Sequence, residues 1–244
     1  MFSQEILDRI SINTHSSICI RGDRVIYIDP LDIAGAPHDA DLVLITHPHF
    51  DHYSKRDIAA VMKEGTVLAM PQETAKHAGE LLGTAVQGLS PAQTVTLCGI
   101  QVETVAAYNL KKPSHPKAKG WLGYVLTLGE TRVFITGDTD VTIENQMVQC
   151  DILMLPIGGT YTMDALRAAV LANVIHPHTV IPIHYGLGLG GKRAPERFRA
   201  AVEGGIETDI RENVYSKVML RSYLKLVLFA LVGFLVGYIA AKLL

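Results

Sequence analysis

The chain contains 244 residues, 48% of them hydrophobic, and its net charge is −2. A chain of this length and composition can bury one sizeable core, in one domain or in two. The near-zero net charge argues against a broad basic surface, so nucleic acid is not expected as a partner. The three cysteines lie far apart and form no C-x-x-C pair. This spacing predicts reduced thiols that act as small hydrophobic side chains.

The N-terminal region predicts three short strands, at residues 9–13, 17–21 and 25–28, because apolar runs alternate there with turn residues. His15 precedes the second strand and Asp29 ends the third. Either side chain could orient the ligands of a nearby site, although a lone histidine and an Asp-Pro pair also suit ordinary loops and turns. Both are therefore interpreted as supporting groups and not as ligands.

The densest polar cluster is an H-x-H-x-D-H sequence directly after the apolar run 42–45, which predicts a buried strand. Its imidazole and carboxylate groups suit zinc and the neighbouring first-row metals. His47 and His49 could share one cation, while Asp51 and His52 turn towards a second. A loop whose histidines only face solvent is the alternative. Four ligand-type residues in this arrangement make a metal site the better interpretation.

The sequence after this motif predicts alternating helices and strands. Ser54 followed by Asp57 is typical of a helix start, and we expect that helix to run to residue 63. The Lys- and Pro-rich stretch 108–120 predicts a long functional or mobile loop that holds Asn109 and His115. The other predicted elements are a strand at 66–70, a helix at 72–82, two or three strands between 86 and 105, strands at 121–128, 131–136 and 151–155, a helix at 162–173 capped by Thr162, and a strand at 180–183.

Two later strand ends add candidate ligands. Asp138 follows the strand at 131–136 in a Gly-Asp-Thr turn, where a carboxylate could bridge two cations. His184 directly follows the strand at 180–183. Two successive sets of strands and helices favour two stacked sheets with helices outside them. Ligands from separate strand ends would then converge along one edge.

The C-terminal region has a different composition. Residues 226–241 carry no charge, with Lys225 before them and Lys242 after them. A helix of that length covers about 24 Å, and counting residues 224–244 with snorkelling lysines makes a span of the roughly 30 Å hydrocarbon core feasible. A buried helix is the alternative, but no polar face interrupts the apolar one. Lys217 and Arg221 add to the basic residues before the segment, which predicts a domain on the cytoplasmic side of the membrane.

These motifs, taken in order, resemble the metallo-β-lactamase superfamily over residues 10–210. The resemblance implies an α/β fold, an αββα sandwich of two stacked mixed sheets with outer helices, to which the C-terminal apolar helix would be added. It also implies a two-metal site between the sheets. By motif position the implied ligands are His47 and His49 for metal one, Asp51, His52 and His184 for metal two, and Asp138 between them.

Within the superfamily, the chain is similar to the branch that contains ascorbate-6-phosphate lactonase and the phospholipase D that hydrolyses N-acylphosphatidylethanolamine. The similarity is carried by His15-Ser16-Ser17, Asp29-Pro30 and residues 155–159 and 181–185. One position departs from the pattern, because Asn109 stands where this branch commonly supplies the third histidine of metal one. His115, six residues further on, is the predicted substitute. If it faced solvent, a mononuclear site would become credible.

The sequence therefore predicts a binuclear metal-dependent hydrolase that uses a metal-activated hydroxide on a phosphodiester or a lactone/ester. Asp51 and Asp138 are the predicted catalytic residues, because they would fix the hydroxide by charge and geometry. The expected cofactors are two divalent cations, with zinc favoured and manganese, iron and nickel as alternatives. The hydrolase domain is expected at residues 1–215, and a juxtamembrane segment with a tail anchor at 216–244.

The predicted partners follow from the tail and the loops. A tail anchor favours a lipid-derived substrate at the cytoplasmic face of a membrane, and the pair Gly233 and Gly237 suggests a homodimer. The alternatives are a soluble-metabolite lactonase or esterase whose tail serves localisation only, and a non-catalytic membrane scaffold. Basic loop residues could attract an anionic substrate or simply be solvated: Lys111, Lys112, Lys117, Lys119, Lys192 and Arg193.

Overall fold

The computed structural model describes residues 4–82, 85–186 and 189–211. The predicted tail at 216–244 lies outside these residues, so the tail anchor and the domain boundary at 215 stay predictions. Across the described ranges, no helix is long and apolar enough to cross a membrane.

The first of two mixed sheets contains six strands in the order of the chain. Its first three strands are antiparallel, and the third to the sixth are parallel. The parallel strands therefore end at the same edge. The strands are β1 (Ile10–Ile12), β2 (Ile18–Arg21), β3 (Val25–Ile28), β4 (Ala40–Leu44), β5 (Met62–Pro71) and β6 (Gln87–Leu89).

The second sheet contains seven strands in the order β13-β12-β11-β10-β9-β8-β7. Strands β7 to β10 pair antiparallel and strands β10 to β13 pair in parallel. The strands are β7 (Thr94–Leu97), β8 (Ile100–Ala106), β9 (Leu122–Leu128), β10 (Thr131–Ile135), β11 (Ile152–Pro156), β12 (Thr179–Ile183) and β13 (Glu207–Thr208).

Three buried clusters show how the layers stack. Side chains alternate across a strand, so in β4 Leu42 and Leu44 pack between the sheets, whereas Val43 packs under the helices of the first sheet. A third cluster lies between the second sheet and its helices. The helices are α1 (Gln4–Asp8), α2 (Lys55–Val61), α3 (Gln72–Leu82), α4 (Ile143–Gln146), α5 (Ala165–Ile175) and α6 (Ala194–Ala201), with a 3-10 turn at Lys117–Lys119. This arrangement confirms the predicted αββα sandwich.

Several predicted helix ends differ from the structure. Helix α2 is capped by Ser54 as predicted, but it ends at Val61 because Met62 already belongs to β5. The cap of α5 is Asp164, whose side chain accepts from two backbone N–H groups, and not Thr162. Helix α6 was not predicted, since it follows a glycine-rich loop that carries no apolar pattern.

Candidate metal centre

The candidate ligands lie in loops that follow strand ends at one edge of the sandwich. The H-x-H-x-D-H loop follows β4, Asp138 follows β10, and His184 follows β12. His115 comes from the long loop between β8 and β9. The structure thus brings together all seven residues that the sequence predicts as ligands, from four separate loops. Their binding of metal is not itself observed and stays a prediction.

The loop after β4 is held by a buried carboxylate. Asp29, 1% exposed, accepts from the Thr46 backbone N–H at 2.7 Å and from its hydroxyl at 2.6 Å. The backbone N–H groups of His52 and Tyr53 both donate to the carbonyl of His49. This tight turn brings His52 back beside the first histidine of the motif, with ring centroids 4.1 Å apart.

The first ligand group consists of three histidines. Nε2 of His47 lies 3.0 Å from Nδ1 of His49 and 3.3 Å from Nε2 of His115. Two nitrogens bound tetrahedrally to one zinc ion at about 2.0–2.1 Å lie roughly 3.3 Å apart. The three nitrogens therefore have the spacing of three ligands that share one cation. His115 is 1% exposed, so the structure places it in the site and not in solvent.

The second ligand group consists of Asp51, His52 and His184. Oδ2 of Asp51 lies 3.7 Å from Nε2 of His52 and 3.3 Å from Nε2 of His184. Two imidazoles and one carboxylate, partly open to the cleft through Asp51, form a ligand set that suits zinc and its first-row neighbours.

Asp138 lies between the two groups. Its Oδ2 is 3.3 Å from Nε2 of His115 and 3.4 Å from Nε2 of His184, and its Oδ1 is 3.4 Å from Nε2 of His52. The carboxylate thus faces ligands of both groups at once. This is the position that a bridging ligand requires.

Buried polar atoms that make no hydrogen bond indicate what the site is built to hold. In the described part of the chain, Nε2 of His52 and Oδ1 of Asp138 are buried without a hydrogen bond. The ring nitrogens of the three histidines also converge in the first group. Such an arrangement is costly unless another group satisfies the lone pairs. Divalent cations would satisfy these atoms, because an imidazole nitrogen and a carboxylate oxygen are both potential metal ligands.

The electrostatics of the site divide its ligands into two kinds. Burial lowers the pKa values of His52 and His184, but nearby carboxylates, Asp138 first, outweigh it and raise both, so a bound cation would have to displace their protons. Other ligands already favour the protonation state that metal binding needs. Burial, followed by the charge on His52, holds the pKa of His47 well below its usual value, so its imidazole is neutral. Burial raises the pKa of Asp51, but the hydrogen bond with His184 and the charge on His52 outweigh it and lower this pKa to about 2. Burial likewise opposes ionisation of Asp138, yet His184 and His52 hold its pKa well below the usual value.

Asp29 also orients one ligand, as its position at a strand end suggested. Nδ1 of His52 donates to Oδ2 of Asp29 at 2.7 Å, which leaves Nε2 facing Asp51 and Asp138. A hydrogen bond of this kind fixes the ring and its tautomer. His15 was the other predicted supporting group, and its ring centroid lies 5.6 Å from that of His184.

Trp121 is a site residue that the sequence analysis missed. Its ring lies 4.9 Å from His47, 4.8 Å from His49 and 5.3 Å from His115, measured between centroids. It forms an apolar wall behind the first ligand group. A single tryptophan at the end of a loop carries no sequence signal for this role, because only the fold brings it against three histidines.

Asn109 organises the loop that carries His115. Its Nδ2 donates to the carbonyl of Ser114 at 2.8 Å and to that of Tyr161 at 2.6 Å. It also lies 3.3 Å from Nδ1 of His115, on the side of the ring away from the first ligand group. Asn109 therefore lies behind the ligand, while His115 occupies the ligand position.

A cleft of about 580 Å³ opens over the ligands. His15, Phe50, Tyr161 and Leu189 line it together with several ligands. Two of the basic residues predicted near its mouth have other contacts. Lys112 donates to the carbonyls of residues 159 and 162, and Lys117 pairs with Glu144 at 2.6 Å.

Comparison with known proteins agrees with this geometry. Residues 9–184 match the family described as "Beta-lactamase superfamily domain". A UPF0173 metal-dependent hydrolase of Methanoregula boonei is 31% identical over 206 residues, covering 80% of this chain and 90% of the relative. Another, of Aeropyrum pernix, is 32% identical over 211 residues, covering 75% and 84%.

Solved structures show the same fold. A protein of Parabacteroides distasonis is 30% identical to this chain. The two structures superpose with a TM-score of 0.71 over 84% of this chain and 92% of the other. Igni18, a metallo hydrolase of Ignicoccus hospitalis, has a TM-score of 0.69 at 22% identity, covering 83% and 94%. The second likeness concerns the fold alone.

Proposed function

The chain belongs to the metallo-β-lactamase superfamily as a metal-dependent hydrolase, and we propose that it cleaves a phosphodiester or an ester, including lactones, at a two-cation centre. The observation that carries the two-cation proposal is the position of Asp138. Its Oδ2 lies 3.3 Å from a nitrogen of the first ligand group and 3.4 Å from one of the second.

The ligands divide between two cations in this proposal. His47, His49 and His115 would hold one, and Asp51, His52 and His184 would hold the other, while Asp138 faces both groups. When bound, such cations lower the pKa of a water molecule towards neutrality and polarise the phosphoryl or carbonyl oxygen under attack. Zinc is the proposed metal, because imidazole and carboxylate ligands at these spacings suit it.

The residues of the chain provide the positioning. Asp51 is ionised at neutral pH, with a pKa of about 2, and its side chain is 19% exposed towards the cleft. It can therefore accept a hydrogen bond from the attacking water and orient it. Asp138 is 3% exposed and provides the fixed negative charge between the two ligand groups. Trp121, whose ring packs against the three histidines, would limit the access of bulk water to the first group from its own side.

The lipid part of the proposal is supported by the cleft and by the sequence. Phe50, Tyr161 and Leu189 line one cleft with the ligands, so an apolar substrate portion could lie beside the reacting group. The uncharged stretch 226–241 would keep the enzyme at a membrane. We propose a lipid-derived phosphodiester or ester as the substrate, at the cytoplasmic face of that membrane.

The test is turnover by zinc-loaded full-length protein. Vesicles that contain N-acylphosphatidylethanolamine report lipid phosphodiester cleavage, bis(p-nitrophenyl) phosphate reports phosphodiester cleavage in solution, and a short-chain lactone reports ester cleavage in solution. We expect chelator-sensitive hydrolysis of the vesicle lipid. Lactone turnover without lipid turnover would instead favour a soluble-metabolite hydrolase.

Matched variants connect any activity to the centre. His47→Ala and Asp138→Ala should lower kcat/KM at least a hundredfold, because each removes a ligand. His77→Ala is the control, since His77 is exposed on α3 and alanine suits a helix. If all three variants kept full activity, the hydrolysis would not come from this centre.

A further inference from the structure

Three exposed apolar side chains, two that line the cleft and one from the adjoining loop, form what we call the apolar rim: Phe50, Tyr161 and Leu110. Phe50 is 87% exposed although it lies inside the H-x-H-x-D-H motif, between two ligands. Tyr161 and Leu110 are each 54% exposed. Phe50 and Tyr161 line the cleft itself, and Leu110 follows Asn109, which donates to the Tyr161 carbonyl.

This degree of exposure is unfavourable for an aromatic side chain in water. Burying a phenylalanine side chain is worth about 1.5–3 kcal/mol, and a group of such side chains marks an interaction surface. Phe50 is not needed to hold the loop, because that turn is made by backbone hydrogen bonds to the His49 carbonyl. The apolar rim therefore resembles a surface that is covered by another apolar layer.

The direction of the chain at its last described residues indicates what could cover the apolar rim. Strand β13 runs parallel to β12, so the chain heads towards the edge where β12 delivers His184. The Tyr185 hydroxyl then donates to the carbonyl of Arg211 at 3.3 Å. The chain thus leaves the described domain beside the residue that follows a ligand. The uncharged stretch 226–241 begins 15 residues further on.

Basic residues accompany the rim. Lys111 follows Leu110, and Lys192 and Arg193 follow Leu189, which lines the cleft; all three are exposed. Anionic lipids at a cytoplasmic membrane surface attract such side chains. A rim of aromatic and aliphatic groups flanked by Lys and Arg has the chemistry of a bilayer-contacting surface.

We propose that the apolar rim rests on the surface of a phospholipid bilayer, so that the cleft of the metal centre opens onto the lipid headgroups. A lipid could then enter the cleft with its chains still in the membrane. This proposal rests on the proposed function, because the orientation serves a lipid substrate. Its test, however, requires no turnover.

The experiment places a fluorophore at the rim. Full-length Phe50→Trp is reconstituted in vesicles of phosphatidylcholine and phosphatidylglycerol, with and without bromine on the acyl chains. Bromine quenches tryptophan that lies in the bilayer. Wild-type protein, whose single tryptophan is Trp121, gives the baseline. We expect brominated vesicles to remove most of the emission that Phe50→Trp adds to this baseline.

Two control variants make the result specific. Gln101→Trp adds an exposed tryptophan near the start of β8, at the edge of the sandwich away from the ligands. Val170→Trp adds one on α5, where Leu166, Val170 and Val174 form another exposed apolar face. Neither should be quenched. Zinc content, measured for each variant, checks that the centre has folded.

Three outcomes would overturn the proposal. These are no added quenching at Phe50→Trp, equal quenching at all three positions, or quenching at Val170→Trp alone. A rim that is quenched in a protein without lipid hydrolysis would leave the orientation standing and reject the lipid as substrate. If Phe50→Trp is not quenched in a protein that hydrolyses lipid, the orientation is rejected and the lipid remains the substrate.

Discussion

Asp29 shows how much of a metal centre depends on a residue that binds no metal. It accepts three hydrogen bonds, two from Thr46 and one from Nδ1 of His52. Replacing it with Asn keeps the shape and suits the backbone, because Asp29 has φ +47° and asparagine tolerates the left-handed region. The amide cannot serve His52 and Thr46 together as the carboxylate does. We expect Asp29→Asn to weaken zinc binding about 10- to 100-fold in chelator competition.

Asp32→Asn is the matched control for this prediction. Asp32 also has a positive φ, of +51°, and its side chain is 39% exposed, outside the centre. Its replacement should leave zinc affinity unchanged. Equal losses in both variants would mean that the loop, and not the hydrogen bond to His52, determines affinity.

In the proposed two-cation centre, His115 would decide whether one cation or two are held. It supplies the third nitrogen of the first group, 3.3 Å from Nε2 of His47. We expect His115→Ala to bind one zinc per chain where the wild type binds two, as measured by elemental analysis after dialysis. The second group should keep its metal, because its ligands come from other loops. Two zinc ions retained in His115→Ala would reject this residue as a ligand.

At the scale of elements, the start of α2 depends on the carboxylate of Asp57, which accepts a hydrogen bond from the hydroxyl of the cap residue Ser54. Burial raises the pKa of Asp57, but hydrogen bonds from Ser54, Arg56 and the Ile33 backbone outweigh it and lower this pKa below 3.8. A group with a lowered pKa stabilises the fold above its ordinary pKa, and this stability is lost as the pH falls through the folded-state value. We expect Asp57→Asn to lower the free energy of unfolding by about 1–3 kcal/mol at pH 7.

Urea unfolding at several pH values checks this sign. The difference between Asp57→Asn and the wild type should shrink as the pH falls below about 4, since the wild-type carboxyl group then becomes neutral too. Glu73→Gln, on the exposed start of α3, is the control and should change stability little. A difference that grew on acidification would contradict the interpretation.

The elements that the sequence predicted well are those whose signals are local. The Ser54 cap and the apolar run of β4 needed only neighbouring residues. The start of α5 could not be predicted in this way, because the Met163 backbone N–H donates to Thr139, far along the chain. That contact holds residue 163 outside the helix and moves the cap to Asp164.

At the scale of the whole molecule, the same distinction separates the ligands from their surroundings. The H-x-H-x-D-H sequence is compact enough to be found directly, and Asp138 and His184 stand at predictable strand ends. Trp121 and the roles of Asn109 depend on how a long loop folds across the site. The exposure of Phe50 could not be inferred either, because an apolar residue between two ligand-type residues can face the core or the cleft. Long-range packing determines these features.

The tail gives the last prediction, because its removal separates the chemistry from its location. The last described residue is held by contacts within the domain, because the Arg211 guanidinium donates to the carbonyls of Leu7 and Ile10. Ending the chain at residue 215 should therefore leave the sandwich intact. We expect this truncated protein to lose vesicle-lipid hydrolysis while its kcat/KM on bis(p-nitrophenyl) phosphate stays within about twofold of the full-length value, because the ligands all precede residue 185. Zinc content provides the folding control. Equal losses on both substrates would show that the tail supports the domain itself, and full activity on vesicles would show that the apolar rim alone is enough to engage the lipid.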